Sequence, residues 1–279
     1  MSKTGILVLD KNALQACVHN LAPLVRICRH FCLLMTDPLI YELCADIRGR
    51  RATQSYFNAL GLLPVSVSYR LLHLLHTEER TKRPTKSVID TEATWRFNAN
   101  FGRPIDEWFV GYPPKEERQF IEHGLPQHFK EVIRIVREDR SFGDPKQFAR
   151  AAKDQGRASL DLVVTHLRQG GFIKSLLGGD TTPEAPPDQW VTSYYWGAIA
   201  EFVITHWESH TELDKWCVQR IANAHLDLFY IPYLLHADGI VTNEKGTFRR
   251  IIRSLFPKTL IYRTDDEEQH TAGQARRGT

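Results

Sequence analysis

Apolar runs at residues 6–9, 31–36, 239–241 and 259–262 are too short for helices and show no polar alternation. They predict strands covered on both faces of a sheet. Between the first two runs, Leu14, Val18, Leu21, Val25 and Cys28 recur at helical spacing. This predicts a helix over about 13–29, capped by Asn12, with Pro23 as the position that kinks or breaks it. Asp37-Pro38 starts a second helix, with Asp at the N-cap and Pro at the first helical position. Glu42 falls one turn into that helix. Near the end, residues 216–236 predict a helix with Ile221, Leu228, Ile231 and Leu235 on its apolar face and Pro232 in its interior, and residues 244–256 predict another.

The middle of the chain, residues 49–216, reads as mostly helical, with polar loops at 80–86 and 178–188. The second loop carries Pro183, Pro186 and Pro187 and is the candidate flexible connection. All six tryptophans lie between Trp95 and Trp216, which marks this stretch as a helical elaboration with its own packing. The expected architecture is α/β, a single three-layer α/β/α domain over 1–262 with a central, mostly parallel sheet. Its sheet-forming segments are 5–48 and 217–262, its large helical insertion is 49–216, and 263–279 is a disordered polar tail.

A chain of 279 residues with 42% hydrophobic and 25% charged residues is long enough and apolar enough for a full core. The net charge of +3 leaves room for an acidic pocket within a basic rim, so it neither requires nor excludes a nucleic-acid partner. Five cysteines, without a CxxC pair, favour a reducing cytoplasm over a disulfide framework or a structural zinc site. No signal segment and no membrane span is expected.

The acids at the ends of the predicted strands carry the chemistry. The first strand runs into Asp10-Lys11-Asn12, and Asp227 precedes an apolar stretch that closes in Gly239-Ile240-Val241-Thr242-Asn243-Glu244. Ligands of open parallel sheets gather beyond the carboxyl ends of the strands. Carboxylates meeting there from distant sequence make a cage for a hard divalent cation. Each residue also has a plainer reading. Asp10 and Asn12 can cap a helix, Glu42 can be a solvated surface group, Asp227 can pair with Arg220, and Thr242, Asn243 and Glu244 suit a turn into a helix.

Taken in order, these segments resemble the PIN-domain family of metal-dependent nucleases. Such domains open with a strand ending in Asp-x-Asn, here Asp10-Lys11-Asn12. A Glu follows on the helix after the second strand, matched by Glu42 in Pro38-Leu39-Ile40-Tyr41-Glu42-Leu43. A third acid begins a helical segment before a late strand, matched by Asp227, and that strand ends in a Thr-Asn-acid turn, here Thr242-Asn243-Glu244. Glu244 stands where Asp is commoner, and the stretch from Glu42 to Asp227 is longer than in compact members. The resemblance covers roughly 5–48 and 220–262. It implies a divalent-metal-dependent phosphodiesterase, more an endoribonuclease than a deoxyribonuclease. Mg²⁺ or Mn²⁺ would be held by Asp10, Asp227, Glu42 and Glu244, with Asn12, Thr242 and Asn243 supporting them. Homodimerisation, common in that family, stays open.

Lys11, Arg48, Arg50, Arg51, Lys245, Arg249 and Arg250 could hold the backbone of a nucleic acid, although an ordinary solvated helix face explains them as well. Trp95, Trp108, Tyr194, Tyr195 and Trp196 are candidates for base stacking or, alternatively, for the core of the middle helices. His225 and His236 are candidate nitrogen ligands or ordinary helix-end histidines. Two rivals stand beside the nuclease reading. One is a PIN-like module that binds RNA or protein without cutting. The other is a phosphohydrolase of the haloacid-dehalogenase type, which wants Asp-x-Asp where this chain has Asp10-Lys11-Asn12.

Overall fold

The computed structural model describes residues 5–44, 50–104, 187–208 and 218–264, together with three isolated helical residues between 105 and 186. Five parallel strands form one sheet in the order β3-β2-β1-β4-β5. The central strand β1 (Gly5–Leu9) continues Leu7, Val8 and Leu9 into the core with no exposure, as a strand packed on both faces requires. β2 is Phe31–Met35, β3 is Val65–Val67, β4 is Gly239–Val241 and β5 is Leu260–Tyr262. Gly239 is needed at the start of β4, because a Cβ there would lie 2.2 Å from the carbonyl oxygen of Leu260 on β5.

The chain leaves β1 toward β2 and leaves β4 toward β5, in opposite directions across the sheet. The β1/β4 boundary is therefore the topological switch point, the place where ligands of open parallel sheets gather. The pairing there runs Leu9 opposite Val241, and the N–H of Asp10 donates to the carbonyl of Val241 at 3.0 Å. The switch point thus brings Asp10 beside Thr242.

The stretch expected to be one helix is two, α1 (Lys11–Cys17) and α2 (Ala22–Ile27). Pro23 sits in the first turn of α2, where its missing N–H is harmless, instead of in a helix interior. Asp10, not Asn12, holds the N-cap position of α1. The helix after β2, α3 (Asp37–Cys44), includes Asp37 as its first residue. The Asp37 carboxylate does not cap its own helix. Its Oδ2 accepts from the N–H of Leu71 at 3.0 Å, and its Oδ1 accepts from the hydroxyl of Tyr233.

The middle stretch is not wholly helical. After α4 (Arg50–Gly61) it contributes the edge strand β3, then α5 (Leu71–Thr81) and α6 (Thr91–Asn100). A 3-10 turn at Pro187–Gln189 leads into α7 (Val191–Glu208). Buried Glu78 on α5 receives the N–H groups of Val191 and Thr192 at the start of α7, at 3.0 and 2.9 Å. α7 packs on α5, on α8 (Val218–Leu228) and on α9 (Thr247–Leu255). Tyr194, Tyr195 and Trp196 on α7 are buried, so they belong to the core and cannot stack on bases.

Pro232 ends the late helix early: α8 stops at Leu228 and a 3-10 helix, Pro232–His236, leads to β4. α9 starts at Thr247 rather than at Glu244, behind Gly246, whose φ of 66° suits glycine. Arg263 and Thr264 are not part of a loose tail. Thr264 exchanges two hydrogen bonds with Asn243, of 2.6 and 3.0 Å. Residues 105–118 and 265–279 lie outside the described residues, and with them Trp108 and the remaining tail. Among the described residues no helix is long and apolar enough to cross a membrane.

Candidate functional site

Asp10 is the deepest of the predicted acids, at 3% exposure. Its Oδ2 accepts from the Thr242 hydroxyl at 2.6 Å, joining the carboxyl ends of β1 and β4. The Thr242 oxygen also accepts from the N–H of Glu244 at 3.0 Å, which fixes the turn after β4. The Glu244 side chain points back to α1, where its Oε1 accepts from the amide of Asn12. Asp10, Asn12, Thr242 and Glu244 thus form one continuous hydrogen-bonded chain across the switch point.

Glu42 and Asp227 approach from the two flanks. Glu42 lies on α3, and its Oε2 accepts from the hydroxyl of Tyr230 at 2.5 Å. Asp227 lies in the last turn of α8, not at a helix start. A negative charge at a helix C-terminus is disfavoured by the helix dipole. Among the described residues the Asp227 carboxylate accepts no hydrogen bond.

These acids share one electrostatic field. Burial raises Asp10 to about 6 from the ordinary 3.8; the Thr242 bond opposes the rise and Glu244 adds to it. Burial raises Glu42 from 4.5 to about 7, opposed by Tyr230 and Lys11 and assisted by Asp10 and Glu244. Asp227 rises furthest, from 3.8 to about 8, first from burial and then from repulsion by Glu42, Asp10 and Glu244. Lys11, first residue of α1, is the base that stands among them, and its ammonium lowers both Glu42 and Asp227. Three carboxyls held above their ordinary range keep their protons to higher pH, chiefly because burial disfavours the charged form and secondly because the acids face one another.

Oxygen donors of this kind suit Mg²⁺ or Mn²⁺, which take carboxylates and keep several waters. Among the described residues, however, no three His, Cys, Asp or Glu side chains already stand in a ligating arrangement. Thr242 holds Asp10, Asn12 holds Glu244 and Tyr230 holds Glu42, so three of the four carboxylates are each engaged with a donor of their own. The donor set fits such an ion in kind.

Asn243 does not reach this cluster. Its amide is engaged with Thr264, donating to the hydroxyl at 2.6 Å and accepting from the N–H at 3.0 Å. Of the basic residues, Arg51, Lys245 and Arg250 are exposed and Arg249 is half-buried. Arg48 and the side chain of Arg50 lie outside the described residues, as does the side chain of His225. The His236 ring is half-buried near Glu78 and Thr85, away from the acids. Trp95 remains 69% exposed on α6. Tyr230 was missed in the sequence because a tyrosine within Leu228-Phe229-Tyr230-Ile231 reads as core. Its one signal is its place three residues after Asp227.

Comparison with family models, with curated proteins and with solved structures finds no match to this chain.

Proposed function

We propose that the acidic cluster binds Mg²⁺ or Mn²⁺ and that the protein hydrolyses phosphodiester bonds, with RNA as its substrate class. One observation carries this reading. Asp10, Glu42, Asp227 and Glu244 come from four separate elements into one field at the switch point of a parallel sheet, and three of them are held above their ordinary pKa. Caps and surface charges have no reason to gather where each raises the free energy of the others. A site that awaits a cation has that reason.

In this reading Asp10 and Asp227 ligate the ion directly, Glu42 ligates it or orients a water on it, and Glu244 serves a second ion. The bound ion supplies activation of water and stabilisation of charge on the phosphate oxygens. The chain's own groups do the rest. Thr242 orients the Asp10 carboxylate through Oδ2, Asn12 restrains Glu244, and Lys11 offers an ammonium to a phosphate. Lys245, Arg249 and Arg250, at the turn and on α9, supply attraction for the nucleic-acid backbone without reading sequence. RNA over DNA, and a cytoplasmic setting, rest on the PIN-like resemblance and on cysteine usage.

A second reading, a PIN-like module that binds RNA or protein without cutting, is favoured by the lack of a ready ligating arrangement among the described residues. One assay separates the two. Single-stranded RNA and DNA are incubated with Mn²⁺, with Mg²⁺ and with EDTA, using wild type beside Asp10→Asn. Metal-dependent cutting lost in the variant supports the nuclease. RNA retention without cutting in any metal supports the binding module.

A further inference from the structure

We infer that Tyr230 is the positioning residue that aims Glu42 into the acidic pocket, so that its phenol governs how well the pocket takes a divalent cation. The inference rests on the metal-binding reading above and adds a residue that nothing in the acidic pattern of the sequence assigns.

Tyr230 is fully buried, and its single O–H proton must find an acceptor. It finds Glu42 Oε2 at 2.5 Å, across 188 residues of chain. A phenol donating to a carboxylate makes a short, charge-assisted bond that fixes the acceptor strongly. Tyr230 occupies one acceptor site on Oε2, and among the described residues no other hydrogen bond is made to the Glu42 carboxylate, so its remaining lone pairs are open to a cation. Tyr230 thereby fixes the orientation of the Glu42 carboxylate and holds the flexible side chain back from water.

The phenol is itself held in place. Three residues on, Tyr233 places its hydroxyl against Asp37, the first residue of the same α3 that carries Glu42. Tyr233 also lies 3.0 Å from the carbonyl of Tyr69. Two tyrosines three apart therefore pin the segment after α8 to two acids five apart on α3. That segment continues directly from Asp227. The double attachment sets the spacing between the Asp227 flank and the Glu42 flank of the pocket, and Tyr230 is the attachment that touches a pocket carboxylate.

A double-mutant cycle tests this, with Mn²⁺ binding followed by isothermal titration calorimetry and unfolding followed by circular dichroism in EDTA. The proteins are wild type, Tyr230→Phe, Glu42→Gln and the double variant. Tyr230→Phe should fold and should weaken Mn²⁺ binding by about 10- to 100-fold, the usual effect of removing a group that orients a ligand. The double variant should bind no more weakly than Glu42→Gln alone, since the phenol acts only through Glu42. Wild-type affinity in Tyr230→Phe, or full additivity in the double variant, overturns the positioning role and leaves the metal reading standing. Absence of Mn²⁺ binding by wild type overturns that reading and this inference with it. Should Tyr230→Phe fail to fold, Glu42→Asp carries the test. It keeps the charge and withdraws the carboxylate by one methylene from the phenol, so an unchanged affinity overturns the inference. A loss of affinity with no change in unfolding stability in EDTA shows that the phenol does not hold this carboxylate and overturns it as well; a loss of both supports it.

Discussion

The hydroxyl of Thr242 donates to Asp10 Oδ2 at 2.6 Å while accepting from the backbone of Glu244, so one side chain ties the end of β1 to the turn after β4. Thr242 has no exposure and Asp10 has 3%, so water does not replace this bond if it is lost. Thr242→Val keeps the shape and removes the donor. Losing a hydrogen bond to a buried carboxylate should destabilise the protein by about 2 kcal/mol. Urea denaturation in EDTA at neutral pH measures this, and a midpoint equal to wild type would show that the bond is not formed in solution.

The pH dependence of the metal-free protein follows from the three raised acids. Asp10, Glu42 and Asp227 have folded values of about 6, 7 and 8, all above their unfolded values. Between about pH 4 and pH 8 the folded chain therefore holds more protons than the unfolded chain, and stability falls as pH rises through that window. The sign is opposite to that of carboxylates tied in ion pairs. In EDTA, the thermal midpoint should drop by at least about 5 °C between pH 5.5 and pH 8. Saturating Mn²⁺ at pH 8 should restore it, because binding to the folded state alone adds stability. A midpoint that rises toward pH 8 in EDTA would contradict the repulsive cluster.

Asp227→Asn should separate stability from metal response. The Asp227 carboxyl is raised by burial and by its acidic neighbours and sits at the unfavourable end of α8. Removing its charge relieves Glu42 and Asp10 as well. The variant should melt about 3 °C higher than wild type in EDTA at pH 8, and Mn²⁺ should stabilise it far less. Differential scanning calorimetry with and without metal reads both effects. A variant that melts lower in EDTA would mean that Asp227 holds the fold together, as an ordinary structural acid does.

Much of the sheet was legible because β1, β2, β4 and β5 are apolar runs bounded by polar punctuation. Three kinds of feature were not. β3 is only Val65-Ser66-Val67, too short to show a period, and it follows a helix whose pattern dominates the window. The late helix was read through Pro232, although that residue restarts the backbone as 3-10 and lets Tyr230 and Tyr233 face α3. Asn243 matched a motif by position, but the turn after β4 sends alternate side chains to opposite sides. Thr242 and Glu244 face α1, while Asn243 faces Thr264. Partners such as Tyr230 with Glu42 leave no local trace, since the residues lie 188 positions apart.

Glu78 is another such long-range tie, and it yields a prediction about the fold alone. It is fully buried, yet both of its oxygens are used twice. Oε1 accepts from the N–H groups of Thr85 and Val191, and Oε2 accepts from the N–H and hydroxyl of Thr192. A carboxylate from α5 thus serves as the cap that the start of α7 lacks in its own sequence, and the negative charge meets the positive end of an 18-residue helix. Glu78→Gln is nearly isosteric but turns one double acceptor into a donor. Whichever way the amide is set, its NH₂ faces groups that donate, and a buried mismatch of this kind should destabilise by about 3 kcal/mol. Because Glu78 does not touch Asp10, Glu42, Asp227 or Glu244, the stabilisation by Mn²⁺ should persist in the folded variant. Chemical denaturation with and without Mn²⁺ reads both quantities. Unchanged stability would mean that α7 is not held through Glu78, and a lost metal response would mean that the α5–α7 contact reaches the acidic cluster.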